Sequence, residues 1–114
     1  MPKPEQSPTP VVERRDDRRR YEILVDGERA GLTAYRDKEE QRVFYHTETA
    51  EAFAGRGLAR ELVRYALDDT RRQGKRIVPV CPYVAKFLER TDAYADITDE
   101  VTPEIRHWLK AELS

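Results

Sequence analysis

A chain of 114 residues, 39% hydrophobic and 38% charged, is long enough for one modest core and too short for two. Its 21 Lys and Arg against 22 Asp and Glu give a net charge of -1, which argues against a dedicated nucleic-acid binder, since that class carries a basic excess. One cysteine excludes an internal disulfide framework, no apolar run approaches the roughly 20 residues that span a bilayer, and no signal-peptide pattern opens the chain, so a soluble, cytoplasmic protein without membrane contact is expected.

Pro2, Pro4, Pro8 and Pro10 mark residues 1–12 as a disordered tail, with the folded domain expected over 13–110. Residues 13–20, ERRDDRRR, read either as a basic patch for an anionic partner or as a solvated lead-in to a strand. The interrupting acids favour the lead-in. Ordered structure is expected from Tyr21. Tyr21–Val25 forms a first strand, Asp26-Gly27 a type I′ hairpin turn, and Arg29–Arg36 the return strand. After a polar turn at 37–40, Arg42–Thr47 alternates as a third strand, with Val43 and Tyr45 on one face and Phe44 and His46 on the other. The period then changes. Leu58, Ala59, Leu62, Val63, Ala66 and Leu67 recur with helical spacing, and Arg64 and Asp68 are placed to pair across one turn. Gly74 closes this helix. Ile77–Cys81 reads as a short buried strand, and Pro82 opens a helix over Tyr83–Arg90. Tyr94–Ile97 reads as a last strand, and Pro103 opens a terminal helix through Leu109, with Trp108 and Leu109 as packing residues. The fold class expected is α/β: an antiparallel meander followed by helix, strand, helix and strand, with a helix crossing between neighbouring strands of one mixed sheet.

Gly55-Arg56-Gly57-Leu58-Ala59 stands between the meander and the first helix. First-turn amides have no partner within a helix, the helix dipole adds positive charge there, and glycines let a ligand approach the backbone. The combination suits a phosphate or pyrophosphate. Arg56, Arg60 and Arg64 oppose the dipole at roughly 0.3–1 kcal/mol each when exposed, a term that a bound anion reverses. A loop that merely reverses the chain has the same spacing, because Gly-x-Gly alone is weak.

His46-Thr47-Glu48, the stretch GRGLARELVRYALDDTRRQGKRIVPVCPYVAKFLER and Tyr94-Ala95-Asp96 resemble the GNAT superfamily of N-acetyltransferases, in particular its small stand-alone GNAT-like members, over about residues 15 to 105. The resemblance implies a minimal GNAT-like mixed sheet and acetyl-CoA as co-substrate. It implies a pyrophosphate loop at Ala52, Gly55 and Gly57, with the amides of Arg56, Gly57, Leu58 and Ala59 and the side chain of Arg60 around it. Ala52 departs from the usual Gln or Arg. It also implies that the strand ending near Thr47-Glu48 pairs with pantetheine, and that the strand after the helix diverges to leave a cleft. Pro79, which cannot donate a ladder hydrogen bond, fits that divergence. The helical segment that longer members carry between their first two strands is replaced by Asp26-Gly27, which leaves the acceptor side open.

Acetyl transfer needs an oriented thioester, a deprotonated amine, a stabilised oxyanion and an accommodated thiolate. Glu48 is the first candidate for general base, otherwise a solvated strand-end carboxylate. His46 has the solution pKa for proton transfer, otherwise a structural role. Cys81, just before a helix N-terminus, is a candidate thiolate that accepts the acetyl group or contacts pantetheine, otherwise a small buried hydrophobe. Phe87 occupies the region where many members carry an acid tyrosine, and Tyr83 and Tyr94 lie near it in sequence. Two distant histidines and one cysteine give no metal site. The expected function is an acetyl-CoA-dependent N-acetyltransferase (a transferase) acting on an unidentified amine, small molecule or protein, as a monomer or weak homodimer. The alternative is a coenzyme A-binding module with little catalysis, used for sensing or protein interaction.

Overall fold

The computed structural model describes residues 9–114. The expected tail at Pro2, Pro4 and Pro8 lies outside them. Five strands form one sheet in chain order: β1 (Val11–Arg15), β2 (Arg20–Val25), β3 (Glu28–Lys38), β4 (Gln41–Thr49) and β5 (Arg76–Pro79). The first four are antiparallel, and β5 joins β4 in parallel. Helix α1 (Leu58–Arg72) makes the crossover, α2 (Pro82–Glu89) follows β5, and α3 (Pro103–Leu113) ends the chain.

The meander starts one strand earlier than expected. Val11–Arg15 pairs with β2, and its charges are absorbed by partners: Arg14 bonds Asp69 of α1 at 2.7 Å, while Arg15 and Arg20 approach the buried carboxylate of Glu22 at 3.8 and 2.6 Å. Asp26 (φ 55°) and Gly27 (φ 77°) adopt the positive dihedrals that a type I′ turn requires. Arg64 does not pair with Asp68. It turns back to Glu61 at 2.7 Å, because Asp68 accepts the hydroxyl of Tyr94 instead. The expected strand at Tyr94–Ile97 is a turn with one 3-10 segment, Ala95–Ile97. Tyr94 is buried, and Arg71 grips the Asp96 carboxylate at 2.9 Å and the Ala93 carbonyl at 2.7 Å, which bends the chain. Only Thr98 makes a strand-like bridge, to Ile77.

Two apolar layers flank the sheet. On one face Tyr21, Ile23, Tyr35 and Phe44 pack under Leu58, Leu62, Val63, Ala66 and Leu67 of α1 and Val84 of α2. On the other, Val43 and Val78 pack under Ile105 and Leu109 of α3, joined by Tyr45 and Trp108.

Strand β4 carries a bulge. Tyr35 pairs with Phe44 and Ala34 with His46, so Tyr45 is an extra residue with no partner. The extra residue reverses the alternation beyond it. His46, opposite Ala34, lies on the α3 side of the sheet, away from Phe44 and contrary to the simple two-residue period. Thr47 lies on the α1 side.

Candidate functional site

The loop before α1 leaves its amides open. Gly55 (φ 79°) and Gly57 (φ 73°) take left-handed dihedrals, Gly57 is the N-cap, and no side chain caps the helix. Leu58 is 6% exposed, so its side chain belongs to the core and only its amide faces the loop. Arg56 lies 5.4 Å over the Phe53 ring, and Ala52 is exposed. Arg60 lines a groove of about 280 Å³ between α1 and α2, whose other walls are Tyr83, Lys86, Phe87, Arg90 and Thr91. Three cations, Arg60 in the first turn of α1 with Lys86 and Arg90, therefore line one groove. Lys86 and Arg90 were missed in the sequence. The spacing 83, 86, 87, 90 is one face of a helix, which is the signal that finds them.

Behind the groove, β4 and β5 part company. The last register pair is Phe44–Pro79. Val80 N–H turns onto the Val78 carbonyl (3.2 Å), and Cys81 N–H takes the Phe44 carbonyl at 2.8 Å in its place. This slip, rather than Pro79 itself, ends the pairing. Arg76 N–H faces β4, so alternation turns the imino nitrogen of Pro79 to the outer edge, where no donor is needed. Beyond the fork, Ala50 N–H bonds the Ala30 carbonyl at 2.7 Å. Alternation then turns the backbone groups of Thr47 and Thr49 toward the side β5 has vacated. These are unpaired strand-edge groups, suited to an extended ligand.

The candidate side chains stand on both sides of this fork. Cys81 is 3% exposed, caps α2, and donates its thiol to Thr47 Oγ1 at 3.3 Å, and Thr47 bonds Thr33 Oγ1 at 2.9 Å. Through the sheet, His46 Nε2 meets Glu48 Oε2 at 2.9 Å, and both side chains are more than half exposed. The structure thus joins His46 and Glu48 into one pair and holds Cys81 apart from it. Tyr94, near the groove, is unsuited to give up its proton. Burial pushes its hydroxyl up to about 12, reinforced by the bond to Asp68. Tyr83, 40% exposed, is the open tyrosine of the groove wall.

The model of the GCN5-related N-acetyltransferases matches residues 20–97. The chain belongs to that family. No curated protein matches it. Among solved structures of the family's fold, a GCN5-like protein of Staphylococcus aureus assigned as an N-acetyltransferase is 17% identical, with TM-score 0.62 over 85% of this chain and 95% of that one. The ribosomal-protein-alanine N-acetyltransferase of Brucella melitensis is 21% identical, with TM-score 0.54 over 73% and 69%. The ribosomal-protein-S18-alanine N-acetyltransferase of Escherichia coli is 12% identical, with TM-score 0.54, and this chain spans 49% of its length. As a GCN5-related N-acetyltransferase, the protein is an enzyme of acyl transfer, with five strands and three helices among its described residues. Among the described residues no helix is long and apolar enough to cross a membrane, and no three metal-ligating side chains gather.

Proposed function

We propose that the protein transfers the acetyl group of acetyl-CoA to a primary amine, with the donor and the acceptor meeting at the β4–β5 fork from opposite sides. The carrying observation is the uncapped, glycine-opened N-terminus of α1 beside a groove with three cations. The pyrophosphate is held by the amides of Arg56, Gly57, Leu58 and Ala59, with Arg60, Lys86 and Arg90 neutralising the phosphates. Pantetheine adds to the free edge of β4 at Thr47 and Thr49, which brings the thioester to the fork. The amine attacks the thioester carbon from the α3 side and its proton passes to the His46–Glu48 pair. The tetrahedral intermediate collapses, the C–S bond breaks, and coenzyme A leaves as a thiolate that takes its proton from water. Cys81, buried and already bonded to Thr47, lines the pantetheine path as a contact and is not the acyl carrier.

Calorimetry with acetyl-CoA, coenzyme A and dephospho-CoA tests the donor site. Absence of heat at sub-millimolar ligand overturns it. Turnover of acetyl-CoA with a panel of amines then separates the enzyme from a binding module: binding without turnover of any amine selects the module.

A further inference from the structure

Seven arginines lie in the five strands, and six of them reach a carboxylate. Arg14, Arg15, Arg20, Arg29, Arg42 and Arg76 each stand within 4.0 Å of an Asp or Glu oxygen. Arg36 is the exception among the described residues. Its Nε is buried and has no hydrogen-bond partner. Its Nη1 reaches only neutral oxygens, the Tyr45 hydroxyl at 3.3 Å and the Tyr35 carbonyl at 3.4 Å, both long. The guanidinium lies 5.7 Å over the Tyr45 ring. A partly buried cation without a counter-charge is costly, and an orphaned buried donor in a native fold calls for an explanation.

The place of Arg36 supplies one. It lies opposite Val43, on the α3 side of the sheet. Tyr45, on which it rests, is the bulged residue just past the last β4–β5 pair and directly precedes His46. Ala34 pairs with His46, and Arg36 is two residues further along the same face, about 7 Å away at the rise of a strand. A guanidinium without a counter-charge and an amine-activating pair thus lie at neighbouring positions on one face of the sheet. The guanidinium fork matches a carboxylate in geometry and charge.

Resting on the acetyltransferase reading, we propose that Arg36 binds a carboxylate of the acceptor, which makes the acceptor a small amine with a carboxylate a few bonds from its nitrogen. The carboxylate takes the Nη donors of the guanidinium and directs the amine toward His46 and Glu48. Arg36 is a specificity residue here and takes no part in proton transfer.

The test is a binding titration of the full chain, followed by amide NMR shifts, with β-alanine and with its neutral amide. The expected result is that the wild type binds β-alanine at least tenfold more tightly than the amide, with shifts centred on Tyr45 and His46. Arg36→Gln is expected to abolish the preference and Arg36→Lys to keep part of it. Equal affinity for the two ligands in the wild type overturns the inference, as does a preference that survives Arg36→Gln. The wild-type comparison stands even if a variant folds poorly. Because these titrations contain no coenzyme A, failure of the donor site appears separately, as absent heat with acetyl-CoA.

Discussion

At the scale of single residues, Gly57 separates a ligand role from a folding role. A Cβ built there meets nothing within 4 Å, yet its φ is 73°. Gly57→Val therefore costs only the left-handed backbone penalty, about 1–2 kcal/mol, and leaves the core untouched. In the proposed donor site the same Cβ stands where the pyrophosphate would approach the α1 amides. The variant is expected to stay folded by circular dichroism and to lose acetyl-CoA affinity by about tenfold or more in calorimetry, the scale of a charge-assisted hydrogen bond. Unchanged affinity would move the phosphate elsewhere. Proton transfer makes an equally local prediction. Glu48→Gln keeps the shape of the His46 contact and removes its charge. With general-base catalysis contributing about 10²–10⁴, turnover should fall by at least tenfold while acetyl-CoA affinity holds. A wild-type rate in Glu48→Gln removes the pair from the mechanism. Cys81→Ala, by contrast, should leave turnover nearly intact.

Elements show where sequence reading succeeds and where it stops. The α1 stripe, the Asp26-Gly27 turn and the Pro82 helix start are legible because each is set by neighbours a few residues apart. The Tyr45 bulge is not legible, because it exists only in the pairing of β4 with β3, 35 to 44 and 34 to 46. A strict two-residue period puts His46 and Glu48 together on the α1 side with Phe44. The bulge turns the pair to the α3 side, where the two side chains stand 2.9 Å apart. Strand β1 was hidden for a related reason. ERRDDRRR looks like solvated charge until Asp69, distant in sequence, and Glu22 of the next strand supply its partners. Arg36 is the inverse case, since its lack of a partner cannot be read from a chain with 22 acids. The bulge yields a prediction of its own. Deleting Tyr45 restores plain alternation and returns His46 to the α1 side. Acetyl-CoA binding should survive, since its loop lies on α1, but turnover should be lost. Retained turnover would mean that the face of His46 does not matter.

Across the whole molecule, one buried polar network ties the meander to the crossover helix. Tyr21 of β2 donates to Asp69 of α1 at 2.7 Å and accepts from Arg42 of β4 at 2.7 Å. Arg42 also clasps Asp37 at 2.9 and 3.0 Å and lies 4.2 Å over the Tyr35 ring. Arg14 of β1 and Arg72 complete the shell of Asp69. Burial pushes the Asp69 carboxyl up, but the bonds from Tyr21 and Arg14 and the nearby arginine charges outweigh it and hold the group below the usual carboxylate range. Its contribution is therefore complete above the unfolded value of about 4 and is lost as pH falls through the lower folded value. The tyrosines act at the other end. Burial pushes Tyr35 up to about 12 against the opposing charge of Arg42, and Tyr94 reaches about 12 as well. Their contribution is complete below the unfolded value of about 10 and is lost as pH rises toward 12. Urea unfolding should thus give a stability plateau across neutral pH with a fall on each side. Asp69→Ala strands Tyr21, Arg14 and part of Arg42, and should cost about 3 kcal/mol at pH 7, the scale of breaking a buried ion pair. The gap between wild type and Asp69→Ala should then narrow steadily below pH 4, where the wild-type carboxylate itself becomes neutral. A gap of constant size down to pH 2 would show that Asp69 stabilises the fold through its shape and not its charge, and that the network is held together by Arg42 and Asp37 alone.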